Sequence, residues 1–127
     1  MKINKFMIGD LVFIHEPECK GHRIDYISEA DGEVGADGEL YDVDDIRLIP
    51  LSDEFFKKNE FKIRYGDSDY YEYHEWLKTI GDKTIRIVVD NTGMFCCIDD
   101  YTVKKVEYLH HLQHIMNDID IEFDFVL

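Results

Sequence analysis

Basic residues are scarce. The chain of 127 residues carries 14 Lys and Arg against 28 Asp and Glu, a formal charge of −14. A field of that sign repels phosphate, so it argues against direct nucleic-acid binding and favours a partner with a basic surface. The same carboxylates also serve solubility. Cysteine is limited to Cys19, Cys96 and Cys97. An odd number without framework spacing predicts reduced thiols and a cytoplasmic setting. Long apolar runs are missing. Ile87-Val88-Val89 is far too short to cross a bilayer, and Met1 to Asp10 has no apolar core of a secretory signal. Proline is rare and there is no low-complexity tract. With 45% hydrophobic residues, a disordered chain is excluded. The size fits one domain, or two small lobes sharing a core. Nothing in the sequence sets the oligomeric state.

What is present reads first as β-structure. Leu11-Val12-Phe13-Ile14 is a short apolar strand after the Gly9-Asp10 turn, and His15 to Gly21 is a loop around Pro17. His22 to Ser28 alternates, with Ile24 and Tyr26 expected on one face and Asp25 and Ile27 on the other. Ala30-Asp31-Gly32-Glu33 recurs as Ala36-Asp37-Gly38-Glu39, two turn signals bracketing one very short strand. Asp42 to Asp45 suits a single helical turn before Ile46 to Ile49. Short strands, one long early loop and a helical turn before the last strand resemble an SH3-like small β-barrel. That resemblance sets residues 1–50 as an expected lobe and implies no chemistry.

Residues 29–45 hold eight carboxylates and no Lys, Arg or His. A calcium loop needs acidic ligands at alternate positions, then Gly, then Glu six residues on. Neither Gly32 nor Gly38 provides that register, so a solvated acidic loop is the better reading. His15, Cys19 and His22 offer three zinc-type ligands in one loop, one short of a closed site.

The second lobe, residues 51–127, is expected to be an antiparallel sheet with one C-terminal packing helix, giving an α+β chain. Ser52 reads as the N-cap of a short helix over Asp53 to Lys58, with Asn59 ending it in a left-handed conformation. Phe61 to Tyr65 and Tyr70 to Trp76 read as strands. Tyr71, Tyr73 and Trp76 are candidate binding residues, because aromatic side chains are favoured at interfaces; they equally suit cross-strand packing. The Asp90-Asn91-Thr92-Gly93 hairpin joins two more strands, and Cys96 and Cys97 should point to opposite faces as small buried side chains.

Tyr108 to Asn117 is the expected C-terminal helix. Leu109, Leu112, Ile115 and Met116 fall on one stripe, with His110, Gln113, His114 and Asn117 on the other side. Ile119 to Val126 then alternates as a terminal strand, with Ile119, Ile121, Phe123 and Phe125 facing inward. His110, Gln113 and His114 are the remaining candidate binding residues. The i, i+4 histidines have the spacing of a zinc-binding His-Glu-x-x-His helix, but position 111 is His and the general base is missing. No catalytic set, metal or cofactor is implied. The alternative is that His110 and Gln113 bond neighbouring backbone and set the helix against the sheet.

The run Tyr108-Leu109-His110-x-Leu112-Gln113-His114 and the stretches Ile49-Pro50-Leu51-Ser52 and Lys58-Asn59-Glu60-Phe61 are similar to small uncharacterised proteins of Bacteroides-type prophages and mobile elements. Those end in a Tyr-Val-His-Gln-Leu-Gln-Asn-like run. Leu109, His111, His114 and Glu60 depart from the pattern. The resemblance implies a genomic setting and no activity. Three functions remain open. One is a non-enzymatic interaction or structural module. Another is an acidic inhibitor mimicking nucleic acid toward a basic host protein. The last is a metal-dependent enzyme using His110 and His114.

Overall fold

The computed structural model describes residues 6–14, 21–67, 72–99 and 101–127. The loop read over His15 to Gly21 lies outside them apart from Gly21. So do His15, Cys19 and Tyr71.

The chain divides into two units: residues 1–50 with 108–118 and 127, and residues 51–107 with 119–126. The first holds strands β1 (Leu11–Ile14), β2 (His22–Ser28), β3 (Glu33–Ala36), β4 (Glu39–Asp42) and β5 (Ile46–Arg47), then helix α2 (Leu109–Asp118). The second holds helix α1 (Asp53–Lys58) and strands β6 (Lys62–Asp67), β7 (Glu72–Ile80), β8 (Lys83–Asp90), β9 (Gly93–Ile98) and β10 (Tyr101–Val106). Each unit has one antiparallel five-stranded sheet, so the α+β expectation stands at that level. The C-terminal helix, expected in the second lobe, belongs with the first.

In the first unit the strand order is β4-β3-β2-β1-β5. Pairing among the described residues leaves this sheet open and does not close a barrel. A single 3-10 turn, Val43–Asp45, precedes β5, with the Asp42 carboxylate accepting from the Asp44 amide at 2.9 Å. Val12, Ile14, Ile24, Val34, Ala36 and Ile46 form the core with Phe6.

The strand-face expectation for β2 is corrected. The register with β3 shifts between Ile24 and Tyr26. This bulge places Asp25 as the extra residue and reverses the phase beyond it. Ile24 is buried and Ile27 packs against the core, while Tyr26 is 47% exposed.

The second unit is a meander, β10-β9-β8-β7-β6. Strand β10 was not foreseen. Its Thr102-to-Lys104 register irregularity breaks the period-two signal that would have marked it. Helix α1 begins as expected, with the Phe55 amide donating to Ser52 Oγ at 3.2 Å. Its end is corrected: Asn59 has φ −94, and Glu60, at φ 63, takes the left-handed position. Phe56 is fully buried against Phe55, Phe61 and Trp76. Glu75, only 5% exposed, receives the Arg64 Nε hydrogen bond at 2.9 Å and lies 3.6 Å from Arg86 on the other side. Two guanidinium groups thus compensate one buried carboxylate. Opposite Gly66, the Tyr73 ring occupies the space that any Cβ would fill.

Residues 119–126 form no strand. The expected alternation of exposure survives: Ile119, Ile121, Phe123 and Phe125 are half-buried and the intervening residues exposed. Side chains hold this segment in place of a sheet ladder. Asn59 donates through Nδ2 to the Val126 carbonyl at 2.8 Å, and the Val126 amide donates to Asn59 Oδ1 at 2.7 Å. Phe125 packs on Phe55, and the Lys78 ammonium sits 4.7 Å from the Phe123 ring centre. Asn59→Ala should therefore lose about 2 kcal/mol and release the segment. Urea denaturation checks the first, and loss of hydrogen-exchange protection at the Val126 amide checks the second.

Candidate functional site

The polar residues singled out on α2 come together with the turn before β1. The apolar stripe of α2 is buried as expected: Leu109 and Leu112 fully, Ile115 and Met116 nearly so. That burial turns Gln113 and His114 toward Gly9-Asp10-Leu11. The Leu11 amide donates to Gln113 Oε1 at 2.9 Å, and Gln113 Nε2 donates to the Gly9 carbonyl at 3.3 Å. One side-chain amide thus satisfies a donor and an acceptor that flank Asp10.

Asp10 is 1% exposed. Its carboxylate accepts from His114 Nε2 at 2.8 and 2.9 Å, and from the Met7 amide at 2.8 Å. When Asp10 is ionised it only accepts, and the shared proton then sits on His114 Nε2. Burial pushes the Asp10 carboxyl above its ordinary value, and the Met7 amide and His114 offset that only in part. The Asp10 carbonyl also takes the Ile24 amide at 2.9 Å, and the Gly9 amide reaches the Ile24 carbonyl at 2.7 Å.

His110, expected on the polar side, is 3% exposed. Its ring lies against Tyr108, His111 and Phe6, and meets His114 edge-on at 5.5 Å. The i, i+4 pair therefore does not open a common coordination site, since His114 Nε2 is directed at Asp10. Among the described residues no group of three or more His, Cys, Asp or Glu is arranged to hold a metal ion. His22, offered with His15 and Cys19, contacts Asp37 at 2.5 Å. The Asp10, Gln113 and His114 bonds anchor α2 to the sheet of its own unit.

The aromatic candidates of the second unit divide. Trp76 is 3% exposed; its indole N–H donates to Asp53 Oδ1 at 2.8 Å and its ring stacks on Phe56. It is a core residue. Tyr73 is half-buried over Gly66. Desolvation alone would raise the Asp53 carboxyl, but the bonds from Trp76 and His74 outweigh it and hold it below the ordinary value. An open groove of about 540 Å³ lies between the Asp90–Gly93 hairpin and Lys105. Two of its carboxylates are already engaged, Asp53 with Trp76 and Asp90 with Thr92. Cys96 and Cys97 are both buried, and burial pushes the Cys96 thiol up to about 12. It stays a thiol at neutral pH and is no nucleophile.

Among the described residues, the outer face of β2, β3 and β4 is accessible. Tyr26, Gly35 and Leu40 stand in one cross-strand row, with Ser28, Glu33 and Asp42 in the next. Tyr26 is 47% and Leu40 61% exposed. The sequence pattern hid this row because the bulge at Asp25 inverts it. The signal available was Ile24-Asp25-Tyr26-Ile27, where period two cannot bury both isoleucines without an extra residue. No helix among the described residues is long and apolar enough to cross a membrane. Comparison with protein-family models, with curated proteins and with solved structures returns no match to this chain.

Proposed function

We propose that the chain is a non-enzymatic interaction module whose first unit binds a basic protein partner. One observation carries this. The acidic run lies in the turns flanking β3, on β4 and in the 3-10 turn, with Glu29, Asp31, Asp37, Glu39, Asp42 and Asp44 exposed. A negative surface built on a fixed sheet raises association rates with cationic partners and selects against anionic ones. The SH3-like reading of this unit belongs to the same proposal, supported by the strand order and the turn before β5. So does a prophage or mobile-element setting, supported by the resemblance of the Tyr108–His114 run. Two buried thiols fit a reducing cytoplasm.

The test is affinity for polyarginine in the full chain. Neutralising Glu29, Asp31, Glu39 and Asp42 to their amides should weaken binding at least about tenfold at low salt. Neutralising Glu60, Asp82, Asp118 and Asp120, equally exposed and equal in charge, should change it little. Equal losses from both sets would reduce the effect to net charge and sink the proposal.

A second reading, an acidic mimic of nucleic acid, draws on the same surface and the charge of −14. It predicts that the chain displaces duplex DNA from a basic DNA-binding protein. Failure to compete at low salt rules it out.

A further inference from the structure

Strand β3 carries a glycine where its neighbours carry side chains. A Cβ at Gly35 would lie 2.8 Å from Tyr26 Cβ, 3.0 Å from an Asp25 carboxylate oxygen and 3.5 Å from Leu40 Cδ2. Gly35 is itself buried, so no side chain fits there, and Tyr26 and Leu40 close over it with the Asp25 carboxylate beside them. Tyr26 and Leu40 are exposed although the core beneath is intact. The bulge on β2 is what turns Tyr26 outward.

The adjoining row on the same face is acidic. Glu33 and Asp42 sit opposite each other across β3 and β4, two residues along from Gly35 and Leu40. Two residues of strand are about 7 Å. An apolar contact and a pair of carboxylates are therefore held at a fixed spacing.

We infer that the Tyr26–Gly35–Leu40 row is a docking surface for an extended basic segment of a partner protein. In that segment an apolar side chain lies two residues from an arginine. The apolar side chain covers Leu40. The arginine reaches the Glu33 carboxylate, whose planar oxygen pair suits a guanidinium fork, and the Asp42 carboxylate, which caps the Asp44 amide through Oδ1, adds charge beside it. A second arginine can stack on the Tyr26 ring beside Asp25. The inference rests on the interaction reading above and names its surface and partner chemistry.

The experiment uses the full chain and two labelled peptides of equal composition, one repeating Leu-Ser-Arg-Ser and the other Leu-Arg-Ser-Ser. Fluorescence anisotropy should give the first peptide at least about fivefold tighter binding, because only it presents leucine and arginine on one face of a strand. Replacing Tyr26 and Leu40 together by serine should weaken it about tenfold and erase the preference. Both side chains lie outside the core, and an unchanged circular dichroism melt establishes that the variant is folded. Leu40→Lys, a single exposed change, should weaken both arginine peptides and is the second variant. Equal binding of the two peptides overturns the inference. So does an unaffected double variant, or no binding by the full chain. If the double variant binds normally while neutralising the acidic run abolishes binding, the surface is wrong and the interaction reading survives. If neither set of changes alters binding, both fail.

Discussion

Asp10→Ala should destabilise the first unit by about 2–3 kcal/mol. The carboxylate is 1% exposed and satisfies the Met7 amide and His114 Nε2 together. Truncation leaves the amide without its acceptor and the imidazole without its partner. The cost is that of two unpaired polar groups, reduced because His114 is 25% exposed and can turn to water. Asp10→Asn keeps an acceptor for Met7 and should lose less. Urea denaturation with hydrogen exchange at the Leu11 amide measures both. That amide bonds Gln113, so it reports whether the helix stays seated.

The two Asp10 variants also separate charge from packing. Burial raises the Asp10 pKa in the folded state above its unfolded value. A group shifted that way contributes most below its unfolded pKa, and the contribution falls as pH rises through the folded pKa. The stability of wild type minus that of Asp10→Asn should therefore decline on going from acid toward neutral pH. Asp53, Asp90 and Asp99 are shifted down, so their contributions are lost as pH falls. They remain in both proteins and cancel in the difference. A difference that rises with pH would show that His114 outweighs desolvation at this site.

Periodicity marked most of the strands, the N-cap at Ser52 and the apolar stripe of α2, because each is a local pattern on one element. What it missed depends on contacts across the chain. Asp10 looked like a turn residue, and nothing near it in sequence announces a partner at His114. Asn59 looked like a helix stop and proves to be a bracket for the backbone of Val126. The C-terminal segment shows a strand's alternation because side chains, and no ladder, hold it. Two register shifts did the remaining damage. One breaks the pattern of β10; the other turns Tyr26 outward and makes the exposed face the functional proposals use. Of the candidate residues on α2, Gln113 and His114 face the Gly9–Leu11 turn, while His110 is buried among aromatic rings.

The largest single loss is expected from Phe56→Ala. Phe56 is fully buried, and its ring centre lies 5.5 Å from Phe55, 5.2 Å from Phe61 and 5.8 Å from Trp76. Removing the ring takes away its transfer free energy and opens a cavity. Its walls include three stiff aromatic rings, so relaxation recovers little. The cost should be about 3–5 kcal/mol, a large part of the stability of a domain this size. Phe56→Leu leaves most of the volume filled and should cost about half as much or less. The single tryptophan of the chain, Trp76, stacks on Phe56 and makes the check direct. In Phe56→Ala the Trp76 emission should shift to the red in the native state, as water reaches the cavity wall, and its urea midpoint should fall. The Leu11 amide of the first unit, followed in the same samples by hydrogen exchange, distinguishes two outcomes. If its protection falls with the Trp76 midpoint, the units unfold together. If it holds while Trp76 is lost, each unit's core stands on its own contacts.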